Sequence, residues 1–332
     1  MTNRLHHLDC YKGVCILFVI ITHYARRMDY LFPYWIDMAV PVFMVITGYL
    51  YSIKLNGMTI REMYSPVSIF CKWLRFIIPF TPIIMIEIYI ESHTKGNPIG
   101  DVIKTILING GYGPGAYYFP IMIQVVIIVP IIFYLVNKFE FKGLVGVFII
   151  NVLYEIAKNI FHMSALVYRL IAFRYVFIIA YGCFLFCTEK RNRNRKEIAL
   201  SCIVGIIGAL YITMFEYMGM KPVITNQWSN TSVFAVLLIV PIMDYLLRKE
   251  QISNRLLELT GKASYNIFLV QLLYYAMFAY KVYEHVSIGI IRVIVNIVIC
   301  VVVGIVYYKI EYPFTKMIVN AITKRERRES NV

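Results

Sequence analysis

Lys12 and His23 are the residues of this chain whose types and spacing could do chemistry together. They lie eleven positions apart in the apolar segment LDCYKGVCILFVIITHYA, from Leu8 to Ala25. At about 100° per residue, that separation is within about 20° of three helical turns, so both project from one face, about 16 Å apart along the axis. Asp9, three positions before Lys12, can pair with it on that face. A charged group inside a lipid-spanning segment costs about 2.5–3.5 kcal/mol, which makes it a functional candidate. Of the six histidines, His23 alone falls inside an apolar run. Its imidazole can take a proton from a hydroxyl near neutral pH, while the ammonium of Lys12 can hold an anion at the far end. A ligand touching both must be long. The pantetheine arm of coenzyme A, with phosphates at one end and a thioester at the other, has that reach. Two structural readings stand beside this one: His23 as a hydrogen-bonding residue between helices, and Lys12 as a cation snorkelling to the interface.

The elements that must position these residues are membrane helices. The 332 residues are 60% hydrophobic and 16% charged, with a mean hydropathy of +0.67. Soluble domains carry roughly 45–50% apolar and about 25% charged residues, and packing alone cannot hide such an excess from water. Apolar runs recur at 11–31, 34–53, 73–91, 117–136, 143–157, 166–187, 198–217, 232–247, 264–280 and 287–308. The pattern predicts an all-α, polytopic membrane bundle of about ten transmembrane helices. The first run has no cleavage site and carries a histidine, so it is expected to be retained as a helix.

Charge placement orients the bundle. The net charge of +14 comes from cations lying between the apolar runs, which is topogenic rather than a nucleic-acid footprint. With the N-terminus inside, 23 Lys and Arg fall in inner segments, including Lys54, Lys72, Arg75 and the KRNRNRK stretch at 190–196. Seven fall outside: Arg26, Arg27, Lys95, Lys104, Lys158, Lys221 and Lys281. Arg169, Arg174 and Arg292 lie in or near spans. Both termini are therefore predicted to be cytoplasmic, with a short basic tail at 309–332 on a single membrane domain spanning 1–332. The longest outer segment, about 92–116, contains NGGYGPG at 109–115 and reads as a turn-rich loop rather than a helix. Seven scattered cysteines, without a C-x-x-C, predict neither a disulfide framework nor a metal site.

LDCYKGVCILFVIITH resembles the signature of the acyltransferase type 3 family of integral membrane O-acyltransferases: Leu-Asp, then an Arg or Lys, ten residues and a His. The resemblance covers most of the chain. PVFMVITGYLYS (41–52), KWLRFIIP (72–79), YYFPIMIQ (117–124), FRYVFIIAYGCFL (173–185), GKASYNIFLVQ (261–271) and IEYPF (310–314) are similar to later family segments, in the family's order. It departs at Gln271, where many members have histidine. It also has no appended extracellular hydrolase-like domain, so transfer is expected to finish within the membrane part.

The resemblance implies transfer of an acyl group, usually acetyl, from cytosolic acyl-CoA to a hydroxyl on an exported or lipid-linked glycan. It implies a multi-pass protein of a bacterial plasma membrane. Acyl-CoA would be the donor substrate, with no permanently bound cofactor; a homo-oligomer is left open. His23 is then expected to be the general base. Lys12, Lys72 and Arg75 would clamp the CoA phosphates or else snorkel, and Asp9 would fix Lys12. Arg174 would bind the acceptor or the thioester oxygen, or pair with an acidic neighbour. Glu87 and Glu91 read as a solvated interfacial pair, and Glu155 has no assignment. Tyr117, Tyr118 and Tyr265 read as interfacial belt residues or as platforms for a sugar. A transporter is the competing reading; it would more often show internal repeats, which this sequence lacks.

Overall fold

The computed structural model describes residues 2–25, 32–189, 191–220, 232–248 and 252–329. Arg26, Arg27, Lys190, Lys221 and Lys249, all counted above as orienting charges, lie outside the described residues. The described residues are mostly helical, with no strand among them. α1 (Thr2–Ala25) carries the Lys12–His23 face; a short α2 (Phe32–Trp35) leads into α3 (Ala39–Leu55). A one-turn α4 (Ile60–Met63), closed by a Thr59–Glu62 capping box, precedes α5 (Pro66–Tyr89), which starts with proline in its first turn, where no amide is needed. The segment expected to be loop contains α6 (Ile99–Asn109). Its Val102 and Ile106, four apart, are buried on one face, and glycine ends it at Gly110. The turn chemistry of NGGYGPG thus governs only the second part of that segment.

α7 (Tyr118–Ile160) is continuous in hydrogen bonding, but at Glu140 the backbone leaves helical geometry (φ 46°, ψ −121°). It is therefore two helices, matching the runs at 117–136 and 143–157. α8 (Ala165–Leu170) and a 3-10 turn at Ala172–Tyr175 enter α9 (Val176–Cys187). α10 (Arg195–Ile212), a 3-10 turn at Ala235–Leu238 and α11 (Ile239–Arg248) follow. α12 (Arg255–Lys262), α13 (Ser264–Met277), α14 (Ala279–His285) and α15 (Gly289–Glu329) complete the chain. The basic stretch from Lys309 continues α15 as helix to Glu329. It is packed where Asn266 donates to Glu311 (3.0 Å) and Ser65 to Glu326 (3.1 Å).

Among the described residues, five helical stretches are long and apolar enough to cross a membrane: Phe32–Leu55, Ile60–Thr94, Tyr118–Ile160, Arg195–Tyr217 and Gly289–Glu326. α1, which carries Asp9 and Lys12, is not among them. The remaining apolar runs are broken into shorter helices. Ile203, Ile206 and Leu210 on α10, and Ile294, Val298 and Val302 on α15, project outward. Aliphatic stripes of that extent are untenable in water and ordinary in lipid.

With lipid outside, helices gain little from burying more aliphatic surface and hold together by close backbone packing. α1 crosses α12 at Gly13 and Gly261: a Cβ on Gly261 would stand 1.7 Å from the Asp9 carbonyl oxygen, and one on Gly13 2.3 Å from that of Leu257. α3 meets α9 in the same way, with Gly48 against the Ile179 carbonyl. Gly261→Val is expected to destabilise the protein by about 1–3 kcal/mol, read as a lowered melting midpoint in fluorescence-detected size exclusion. Gly146→Val, where a Cβ meets nothing within 4 Å, should melt like the parent.

Candidate functional site

A cavity of about 910 Å³ runs beside α1 and is lined by both Lys12 and His23. The two side chains, read from spacing alone as sharing a stripe, line one cavity. Lys12 is paired with Asp9 at 2.6 Å. Asp9 itself does not line the cavity, and the close α1–α12 crossing at its carbonyl fixes where the pair sits.

The Lys12 end is strongly cationic. Lys54, at the last turn of α3, also lines it and lies within electrostatic range of Lys12, Lys72 and Arg75. The Lys72 ammonium stands over the Tyr51 ring, 5.5 Å from its centroid, and that ring forms part of the wall. Lys72 and Arg75 thus flank this mouth rather than line it. Tyr265 crosses the wall and donates its hydroxyl to the Phe76 carbonyl at 3.0 Å, tying α13 to α5.

At the other end, the His23 ring packs edge-on against Tyr275, with centroids 5.6 Å apart. Tyr275 is anchored by donating to the Ile20 carbonyl at 3.1 Å. The wall facing His23 is Pro114 and Gly115. Gly115 has φ +89°, and a Cβ there would stand 3.2 Å from the Phe268 ring and 4.0 Å from His23 Nε2. Only glycine takes that backbone conformation cheaply while leaving the imidazole approachable.

Three buried polar side chains hold this loop and the turn before it. Glu87, with no exposed surface, accepts from the Tyr112 amide at 2.9 Å. Glu91, 2% exposed, accepts from Lys95 and Asn97, each at 2.7 Å. These carboxylates are not the solvated interfacial pair expected from their spacing. Helix positions that face lipid on one side face a polar loop on the other, and both side chains turn inward to satisfy it. Gln271, also without exposed surface, points its amide nitrogen at the Pro114 carbonyl, at the outer limit of a hydrogen bond, 3.5 Å.

Arg174 is buried on the 3-10 turn before α9 and lines the cavity, as do Arg169, Asp37, Tyr117 and Tyr118. Its guanidinium carbon lies 4.7 Å from the Tyr175 ring centroid, 5.2 Å from that of Tyr168 and 5.7 Å from that of Tyr117. Tyr168 donates its hydroxyl to Glu155 at 2.6 Å, and Glu155 also accepts from the Val233 amide at 3.4 Å. Glu155, unassigned from the sequence, anchors one ring of the cage around Arg174.

Lys54 and Arg169 enter the sequence analysis only as charges, Tyr51 only within the segment at 41–52, and Asp37 not at all. The signal for two of them is present. Thr47, Tyr51 and Lys54 fall at i, i+4 and i+7 on an otherwise apolar helix and line the cavity together with Val40 and Phe43.

Because Glu87 is the acceptor for the Tyr112 amide, Glu87→Ala should cost about 1–3 kcal/mol and speed hydrogen exchange at Tyr112. Glu87→Gln, whose amide oxygen still accepts, should retain most of the protection.

Comparison with known proteins bears on what this arrangement does. A family model described as an acyltransferase domain matches residues 5–309. No curated protein and no solved structure matched the chain. The matched segment takes in every cavity-lining residue, including the Lys12–His23 pair. The chain belongs to the acyltransferase type 3 family.

Proposed function

We propose that the protein is a membrane O-acyltransferase that moves an acyl group, acetyl in the usual case, from cytosolic acyl-CoA to a hydroxyl of an exported or cell-surface glycan. It would sit in a bacterial plasma membrane with about ten spans and both termini inside. The single observation that carries this reading is the cavity holding Lys12 at one end and His23 at the other. Its volume of about 910 Å³ lies within the range of about 300–1,000 Å³ usual for ligand pockets. The separation of about 16 Å along α1 suits a thioester reached by a pantetheine arm whose phosphates stay at the cationic mouth.

In this reading, the CoA phosphates meet Lys12, with Lys54, Lys72 and Arg75 around them as charge-assisted partners. The acceptor hydroxyl gives its proton to the His23 imidazole as its oxygen attacks the thioester carbonyl carbon. The new C–O bond forms, the C–S bond breaks, and the proton held by the imidazolium passes to the departing thiolate, which restores neutral His23. Pro114, Gly115 and Phe268 line the cavity near His23 and would shape how an acceptor approaches it. Asp9 holds Lys12 in place, and Tyr117 and Tyr118 offer ring faces to a sugar.

His23→Ala, at equal protein amounts in proteoliposomes, is expected to remove acyl transfer by a factor of about 10²–10⁴; a near-normal rate would refute the assignment. In cells, mass spectrometry of the surface glycan should show the ester lost together with His23. An unchanged glycan with altered solute uptake would favour a transporter instead. Lys12→Gln should raise the KM for acyl-CoA by about ten-fold or more, the worth of a charged hydrogen bond of about 1.5–3 kcal/mol, with Lys12→Arg affected less.

A further inference from the structure

The cavity carries cations at both ends, and the donor's phosphates account for only one of them. At the Lys12 end stand Lys12 and Lys54, with Lys72 and Arg75 behind. Arg169, Arg174 and Asp37 line the same cavity, and Arg174 lies 5.7 Å from the ring of Tyr117, two residues beyond the Gly115 that faces His23 Nε2. About 16 Å of helix separates the two ends, so a CoA whose phosphates engage Lys12 does not bring them to the arginines. Arg174 is 5% exposed and held among tyrosine rings, a rigid mount that fixes the guanidinium plane at the cavity wall. Glu155 and Lys158 sit behind that mount, the former bonded to Tyr168 and the latter 4.5 Å from the centroid of its ring. Among the described residues, Arg169 and Arg174 are the guanidinium groups that line the cavity and Asp37 the carboxylate, with Glu155 and Lys158 offsetting each other behind the tyrosines, so the cleft carries positive potential on this side. Guanidinium is the group whose planar donor fork matches a carboxylate or phosphate.

We propose that the acceptor bears an oxyanion close to the hydroxyl that is acylated, and that Arg169 and Arg174 bind it. The acceptor class is thus an acidic sugar or a sugar phosphate, not a neutral glycan. The proposal rests on the acyltransferase reading for the identity of the ligand, while the anion site itself is defined by Arg169, Arg174 and Tyr117. The ring of Tyr117 would stack on the sugar as the arginines take its charge.

The test uses the full-length protein in detergent and three sugars that differ in charge: D-galactose, D-galacturonate and α-D-galactose 1-phosphate, with sodium acetate controlling for ionic strength. Galacturonate, galactose 1-phosphate or both should protect against thermal unfolding at concentrations at least ten-fold below those at which galactose does. Which of the two protects identifies carboxylate or phosphate as the source of charge. Arg174→Gln and Arg169→Gln should each erase the charged sugar's advantage, and Arg174→Lys should keep part of it. Arg169 lies on the exposed face of α8, so its variant answers the question if Arg174→Gln does not fold. Equal protection by galactose and both charged sugars, or an advantage that survives both glutamine variants, overturns the proposal. A parallel titration with acetyl-CoA separates the two claims. Protection by acetyl-CoA that depends on Lys12, without any preference for charged sugars, sinks the oxyanion site and leaves the transferase reading standing. Arginine-dependent protection by a charged sugar with no response to acetyl-CoA does the reverse.

Discussion

A charge or hydrogen-bonding group drawn out of water into an apolar bundle has to be met by protein, because lipid offers it nothing. That constraint acts most strongly on α1. Its ammonium is met by Asp9 one turn away, and the carbonyl of Asp9 is itself pressed against the backbone of α12 at Gly261. His23 is met by an aromatic edge and by a glycine-lined loop. Both ends of the cavity therefore hang on one helix whose position is set by a crossing that tolerates no side chain. A displacement of α12 would move the cationic mouth and the imidazole together.

The same constraint explains the polar residues buried around the site. The turn at 110–116 brings backbone amides and carbonyls beside the cavity, where water is scarce, and each exposed group needs a partner. Glu87 supplies an acceptor to one amide and Gln271 a donor to one carbonyl, from two different helices. Glu91, at the start of the segment, instead holds the side chains of Lys95 and Asn97. A titrating side chain at position 271 is not needed for this task. An amide performs it without the cost of burying a charge, which gives Gln271 a structural role of its own.

Charge along the cavity is divided rather than spread. The lysine-rich end is built on α1, α3 and α5, the arginine end on the 3-10 turn before α9 and on α8. Lysines at the first are long, flexible point charges suited to several phosphates of one mobile ligand. The arginine at the second is clamped by tyrosines and presents a fixed plane. Under the proposed transferase reading, this asymmetry would suit two substrates: one end tolerant of a swinging donor, the other strict about how an acceptor hydroxyl lies against His23.

The helical, membrane-bound nature of the protein was legible in composition and in the spacing of its apolar runs, because a 20-residue aliphatic stretch has few alternatives. The shared face of Lys12 and His23 followed from helical periodicity, and the Asp9–Lys12 pair from i,i+3 spacing. What spacing within one helix could not express is contact between helices. Glu87 and Glu91 look solvated in the sequence because the loop that buries them lies up to 25 residues downstream. Lys54 looks topogenic because only the approach of α3 to α1 places it beside Lys12, and Arg174 acquires its tyrosine cage from Tyr117 and Tyr168 as well as from its chain neighbour Tyr175. The sequence by itself determined which residues could do chemistry and that lipid surrounds them, since both depend on local composition and helical pitch. Tertiary structure alone decided which of them meet in one cavity, since that depends on where glycines let backbones touch.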